Sequence, residues 1–458
     1  MITTVNPTDG TTPATYDAMT LQQLEQVVAQ AAQAAAEWGS VPVGERLEAL
    51  TRLASELRAS ADGLAALITA EMGKPIREAE GEIEKSAVTA EYYAANGAAI
   101  LADEQVMVDG AKAWVSYEPI GLVLAVMPWN FPVWQVLRFA VPTLAAGNGV
   151  LLKHSPNVTG SALAIEQLFR RAGFPEHLVR TVVVEEPDVP ATIERLIADD
   201  RIAAVTLTGS NRAGAAVGAA AGRASKKSVL ELGGSDAFVV LADADVEAAA
   251  AAAVRARFTN SGQSCVCAKR FIVEAEVADE FIDRFVTGVK GLVVGDPTDR
   301  AVAVGPLARD DLRVALQRQV DSSLAAGAVL AIGGGSIAGP GYFFEPTVLT
   351  GTAPGMPVFD EETFGPVAAV AVANGPAHAA ELAGATPYGL GVSVWTRDAS
   401  RGVELARRVT SGAAFINAVV ASDPRLPFGG TKRSGYGREL AAAGLREFTN
   451  TRTYWVAG

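Results

Sequence analysis

The spacing of apolar and polar residues divides the chain into a helical front and an alternating α/β remainder. Between residues 18 and 95, apolar side chains recur every three or four positions in "LQQLEQVVAQAAQAAAEWG" and "RLEALTRLASELRASADGLAALITAEMG". That period places them on one face of a helix, and Gly or Gly-Lys-Pro closes each run. "VMVDGAKAWVSYE" (106–118) then alternates apolar and polar residues around Asp-Gly, which predicts a β-hairpin.

From residue 120, short apolar runs alternate with Ala-rich helical segments: "GLVLAVMP", "GVLLKHS", "TVVVEE", "AAVTLTG", "VLELGG" and "AFVVL". This order predicts an α/β fold with a parallel sheet covered by helices on both faces. A second run after about 260 supplies "RFIVEA", "VAAVAVA", "GVSVWTRD" and "GAAFIN", and the tail "TRTYWVA" alternates like one more strand. No internal repeat is visible, and "AAAAAAVRA" (248–256) reads as a helix.

Composition narrows the function classes. The 458 residues are 49% hydrophobic and 19% charged, as expected of a folded globular chain of several domains. A net charge of −13 without a basic run argues against nucleic acid or an anionic membrane as partner. No apolar run reaches membrane-spanning length, and "MITTVNPTDGTTPATYD" shows no secretory pattern. With two cysteines, too few for a disulfide framework, a reducing cytoplasm is the expected location.

Both cysteines lie in "TNSGQSCVCAKRF" (259–271). A metal corner would need further soft or imidazole ligands, but His154, His177 and His378 are scattered singly, so no metal is expected. A structural or redox pair and a single nucleophile with a neighbour stay open. Elsewhere, Glu231 ends an apolar strand before two glycines, where a carboxylate has either a surface partner or a task. Asn130 sits between Trp129 and Phe131, flanked by Pro128 and Pro132, either in a plain aromatic turn or at a rigid tip that aims an amide. In "AVTLTGSNRAGAAVG" Ser210 is placed to cap a helix whose free N–H groups suit a phosphate, although no Gly-x-Gly-x-x-Gly or Walker loop occurs.

Taken in order, "MPWNFP", "LLKHSPN", "TLTGS", "LELGGS", "NSGQSCVC", "EETFGPV", "SVWTRD" and "PFGGTKRSGYGRE" resemble the aldehyde dehydrogenase superfamily over essentially the whole chain. "KHSPNV", "LELGGSD", "GQSC" and "SDPRLPFGG" are most similar to bacterial NAD(P)-dependent succinate-semialdehyde dehydrogenases. The resemblance implies a Rossmann-like cofactor domain over 1–105 and 120–230, a catalytic domain over 231–430, and oligomerisation strands at 106–119 and 445–458. A homodimer or homotetramer would follow, since long strand edges need cover.

It also implies roles. Cys265 would attack the aldehyde as a thiolate, Asn130 with the Cys265 backbone N–H would form the oxyanion hole, and Glu231 would activate water against the thioester. Trp129, Lys153, Ser155, Pro156, Gly209, Ser210, Leu232, Glu362 and Phe364 would hold the cofactor, NADP or NAD. Pro156 stands where NAD-preferring members commonly carry a ribose-chelating Glu, so a 2′-phosphate is not repelled and NADP acceptance is expected. Arg138, Ser422 and Arg425 would bind the distal carboxylate of a semialdehyde, with Arg425 substituting for an arginine absent at Thr259. Cys267 would be a small packing residue or a redox partner through a strained, reducible ring. The activity implied is oxidation of succinate semialdehyde to succinate, with a broader aliphatic or glutarate semialdehyde dehydrogenase as the alternative. A cysteine hydrolase, which wants a histidine base, and a structural protein on the same fold are the other classes. The retention of Asn130, Glu231, Cys265 and Glu362 together favours neither.

Overall fold

The computed structural model describes residues 1–457. The helical front forms as Leu21–Gly39, Val43–Ala59, Ala61–Met72 and Ile76–Ile100. Thr20 starts the first helix with a reciprocal capping box: its side chain accepts from the Gln23 N–H, and the Gln23 side chain accepts from the Thr20 N–H. Leu24, Val27, Val28, Ala31 and Ala35 line one face of that helix and join a core cluster with Leu122, Leu124 and Leu151. The segment read as one helix over 46–73 is broken at Ser60, which caps both Val43–Ala59 and Ala61–Met72.

Two large sheets organise the rest. The six-stranded sheet runs in the order Gly435–Tyr436, Lys227–Glu231, Ile202–Thr208, Leu122–Met127, Gly149–His154, Val179–Thr181, parallel except at the first pair. The seven-stranded sheet runs Val329–Ile332, Thr347–Thr350, Val367–Ala373, Ala268–Glu274, Asp236–Val240, Gly391–Trp395, Ala413–Ile416, again parallel except at the first pair. Within the first sheet the strand order reverses at Leu122–Met127, and such reversals open a crevice beyond the strand ends. The chain passes between the sheets through residues 232–235 and returns to the first at Gly435.

A separate antiparallel sheet joins Glu104–Val106, Ala111–Pro119 and Thr449–Ala457, the last two paired over nine residues from Thr449↔Pro119 to Ala457↔Ala111. The Asp109-Gly110 turn of its hairpin uses Gly110 at φ 70. The final residue of the 445–458 segment lies outside the described residues.

"TVVVEE" contributes only its first residue, at the end of Val179–Thr181, rather than a full strand. The chain there is at the sheet edge: Val182 still donates to the Leu152 carbonyl at 2.7 Å, but Val183 turns its carbonyl to the Met19 N–H at 2.9 Å. The strands Val329–Ile332 and Thr347–Thr350 and the N-terminal pair Ile2–Thr4 with Ala14–Tyr16 have no counterpart in the pattern read above.

Candidate active site

The nucleophile loop is held in an unusual backbone conformation. Asn260, Ser261 and Gly262 all have positive φ, at 55, 54 and 74 degrees. A side chain at Gly262 would place its Cβ 2.3 Å from the Gly365 carbonyl oxygen. Left-handed geometry at two non-glycine residues costs energy and persists only where the surroundings enforce it. Arg257, fully buried, supplies that enforcement. It donates to the carbonyls of Gly262, Ala268 and Thr363, at 3.1 Å each, and to Gly365, which ties the nucleophile loop to the "EETFGP" loop.

Cys265 follows, half-buried, in the wall of a cavity of about 370 Å³. Lys269 donates to the carbonyls of Ser264 at 2.9 Å and Cys265 at 2.8 Å from below. Burial pushes the Cys265 thiol up to about 12; Arg138 and Lys269 act against that rise, while Glu362 and Glu231 add to it. Cys267 lines the same cavity, its thiol directed at the Thr259 carbonyl at 3.5 Å, and both cysteines are free thiols.

Asn130 comes from the turn after Leu122–Met127. Its side-chain amide donates to the Gln263 carbonyl at 3.0 Å, two residues before Cys265, and its own carbonyl accepts from the Asn260 amide at 2.8 Å. His154 pins this turn from the neighbouring strand end, with Nε2 at 2.8 Å from the Pro132 carbonyl; burial lowers this imidazole to about 4 and keeps it neutral.

Glu231 ends the strand Lys227–Glu231 and is buried. Burial raises its carboxyl well above the usual range, the Glu439 carboxylate raises it further, and Arg138 and Arg438 oppose them. Among the described residues, one Glu231 oxygen has no hydrogen-bond partner. Past Glu231, Gly234 is glycine for a steric reason: a Cβ there would lie 2.8 Å from the Cys265 backbone carbonyl oxygen. Glu362 in turn accepts from the Gly234 N–H at 3.0 Å and faces the Lys269 ammonium at 3.8 Å.

At the reversal crevice, Ser210 caps the helix Asn211–Arg223 by accepting from the Ala213 N–H at 3.3 Å, next to Gly209. Leu232 packs beneath that helix, against Gly214. Trp129 and Phe364 meet edge to face, centroids 5.7 Å apart. Ser155 donates to the Asn157 side chain at 2.6 Å, and Pro156 opens the short turn Pro156–Val158.

Arg138 lines the cavity, but its guanidinium is closed on buried Glu439 and stacks over Phe428 at 4.5 Å. Ser422 lines the cavity and accepts from the Lys85 ammonium at 2.7 Å. Arg425 is not brought there, against the expectation that it binds the distal carboxylate. Its side chain is 74% exposed and grips Asp423 at 2.6 and 2.8 Å, because a carboxylate two residues away closes the fork locally. The sequence reading missed Lys85, Arg257, Lys269 and Glu439. Lys85 could have been found from helical spacing, since Glu78, Glu82 and Lys85 share one face of Ile76–Ile100 and all line the cavity.

The chain belongs to the aldehyde dehydrogenase family, whose model matches residues 1–454. It is 46% identical to the succinate semialdehyde dehydrogenase [NAD(P)+] Sad of Escherichia coli (strain K12) over 98% of this chain and 97% of the other. It is 45% identical over the full length of both chains to the succinate-semialdehyde dehydrogenase [NADP(+)] 1 of Mycobacterium tuberculosis (strain ATCC 25618 / H37Rv). The crystal structure of the Streptococcus pyogenes succinic semialdehyde dehydrogenase in complex with NADP+ superposes with a TM-score of 0.96 at 34% identity, covering 100% of each chain.

The crevice residues fit a nicotinamide dinucleotide with a 2′-phosphate. Lys153 is 6% exposed and, among the described residues, has no carboxylate within ion-pair distance; burial lowers it to about 8, and Glu186 partly opposes that. The buried Asn157 amide nitrogen, in the turn that follows the same strand, has no partner among the described residues. A desolvated ammonium and an orphan N–H group two residues past Ser155 want an anion.

Proposed function

We propose that the protein oxidises succinate semialdehyde to succinate, with NADP or NAD as hydride acceptor. The observation that carries this reading is the cavity itself, which sets the Cys265 thiol in one space with Lys85, Arg138, Arg255 and Ser422. A small aldehyde ending in a carboxylate matches both ends of that space, and relatives of the same length bear the name of that activity.

In this reading the Cys265 thiol gives its proton to solvent water, and the sulfur adds to the aldehyde carbon to form the thiohemiacetal oxyanion. The Asn130 amide and the Cys265 backbone N–H meet the oxygen that becomes anionic, a contribution of roughly 3–4 kcal/mol. When bound, the cofactor supplies a nicotinamide ring that takes the hydride from the thiohemiacetal carbon, leaving a thioester on Cys265. Glu231 then accepts a proton from water as that water attacks the thioester, and the acid departs while the sulfur is released. A carboxyl with a raised pKa is a stronger base than an ordinary one once ionised, which suits that step. Lys153, Ser155, Gly209 and Ser210 would take the phosphates, and Trp129, Leu232, Glu362 and Phe364 would wall the nicotinamide side.

The six-stranded sheet with its helices serves as the cofactor domain, 1–105 and 120–230, and the seven-stranded sheet as the catalytic domain, 231–430. The three-stranded sheet serves for assembly into a dimer or tetramer: Trp455 and Val456 on its edge strand are 59% and 51% exposed, and a nine-residue open edge is stable only when covered. Among the described residues no helix is long and apolar enough to cross a membrane. We place the enzyme in the cytoplasm, where two cysteines in a chain of this length stay reduced. The test is absorbance of reduced nicotinamide with NADP or NAD against succinate semialdehyde, glutarate semialdehyde and butanal. A kcat/KM for butanal equal to that for both semialdehydes would sink the substrate assignment.

A further inference from the structure

We propose that Lys85, braced by Ser422, is the cation that binds the distal carboxylate of the substrate. The inference rests on the semialdehyde reading above and assigns its specificity to a residue outside the expected arginines. Lys85 projects from the cavity-facing side of Ile76–Ile100, 2.7 Å from the Ser422 hydroxyl and 4.5 Å from the centre of the Trp134 ring. Gly81, one turn earlier, also lines the cavity and leaves open space where a side chain would stand.

The other cations are engaged or solvated. Arg138 is paired with Glu439, Arg425 with Asp423 outside the cavity, and Arg255 is exposed at the mouth. Lys85 has no carboxylate within ion-pair distance among the described residues. The carboxylates facing it are occupied: Glu82 accepts from Lys74 and from the Val133 and Trp134 N–H groups, Glu78 accepts from the Asn260 N–H at 2.6 Å and is raised to about 7 by burial, and Asp423 is held by Arg425. A desolvated ammonium with one hydroxyl and a ring face for company gains most from an incoming carboxylate. The apolar walls, Phe131, Trp134, Val420 and Phe428, suit the carbons between that carboxylate and the aldehyde.

Protonation follows from the same surroundings. Burial lowers Lys85 to about 8, Arg138 adds to the fall, and Glu82, Asp423 and Cys265 oppose it. The ammonium is charged below that pH and lost above it. Semialdehyde binding therefore weakens as pH rises through about 8, relative to a neutral aldehyde that shares every other group.

The test compares Lys85→Met, Lys85→Arg and the parent on succinate semialdehyde and butanal. The ratio of kcat/KM for the two aldehydes should fall about 10- to 100-fold in Lys85→Met, mostly through KM for the semialdehyde. Lys85→Arg should restore most of the ratio and remove its decline above pH 8. Succinate binding by calorimetry gives a readout free of turnover and should weaken in parallel in Lys85→Met. A parent that prefers succinate semialdehyde, with a Lys85→Met variant that keeps both ratio and succinate affinity, overturns this inference alone. A parent without that preference overturns the semialdehyde reading itself. A drop in thermal stability with an unchanged ratio would assign Lys85 to the fold and also overturn it.

Discussion

Arg138 and Glu439 close on each other inside the cavity wall, with 2% and 3% of their side chains exposed. Glu439 raises the neighbouring Glu231 carboxyl and Arg138 lowers it, so the pair sets the charge environment of the proposed base. The arginine that the resemblance offers to the substrate is thus paired with the protein's own carboxylate.

Removing one partner of this pair leaves a buried, uncompensated charge, which typically costs about 3–5 kcal/mol. Arg138→Ala should therefore lower the melting temperature and reduce turnover of succinate semialdehyde and butanal alike. The double variant Arg138→Met with Glu439→Gln, in which neither charge remains, should recover most of the stability. Thermal unfolding and the two kcat/KM values check this; a loss confined to the semialdehyde would return Arg138 to the substrate.

The two catalytic steps should separate by mutation. Cys265→Ala should abolish aldehyde oxidation together with any esterase activity, since both need the sulfur. Glu231→Gln should spare the first step and slow release of the acid, so one equivalent of reduced cofactor appears in a burst and turnover falls about 100-fold or more. Stopped-flow absorbance reads both, and normal turnover in the glutamine variant would remove Glu231 from the role of base.

Cofactor choice should respond to position 156. Pro156→Glu brings a carboxylate toward the Lys153 and Ser155 strand end, where it repels a 2′-phosphate and offers the ribose hydroxyls an acceptor. The ratio of efficiencies with NADP and NAD should move toward NAD by about 1–3 kcal/mol, the range of a partly shielded like-charge contact. An unchanged ratio would mean that residue 156 does not face the ribose.

Local chemistry made much of this legible in the chain. The first helix, Leu21–Gly39, is legible because its apolar spacing and its terminal glycine are both local; the Thr20 capping box is equally local, but the sequence reading missed it. The strand ends bearing Asn130, Lys153 and Glu231 followed from apolar runs of strand length. What could not be read is pairing across distance. Lys85 and Ser422 are 337 positions apart, and nothing local at either announces the other. The commitment of Arg138 to Glu439 is likewise set by packing, and so is the inward or outward turn of Arg425. Short strands such as Val329–Ile332 escape because their burial pattern, exposed at three of four residues, carries no alternation.

Stability should fall as pH rises through neutrality, with buried Asp236 as one cause. Burial lifts its carboxyl from its ordinary value of 3.8 to about 7, against the pull of Lys269, the Gly391 N–H and Arg270. One oxygen accepts from the Gly391 N–H at 2.9 Å, and the other has no partner among the described residues. Between those two pH values the folded chain keeps a proton that the unfolded chain has released. The stabilisation is therefore fully present below about pH 4 and is lost as pH climbs through about 7, at up to about 1.4 kcal/mol per pH unit for this group. Glu78, also raised to about 7 by burial, adds in the same direction. Asp236→Asn keeps an oxygen for the Gly391 N–H and removes the titration, so its stability should decline less steeply between about pH 5 and pH 7. Denaturant unfolding of parent and variant across that range decides it: parallel curves would show that Asp236 does not hold its proton in the folded protein.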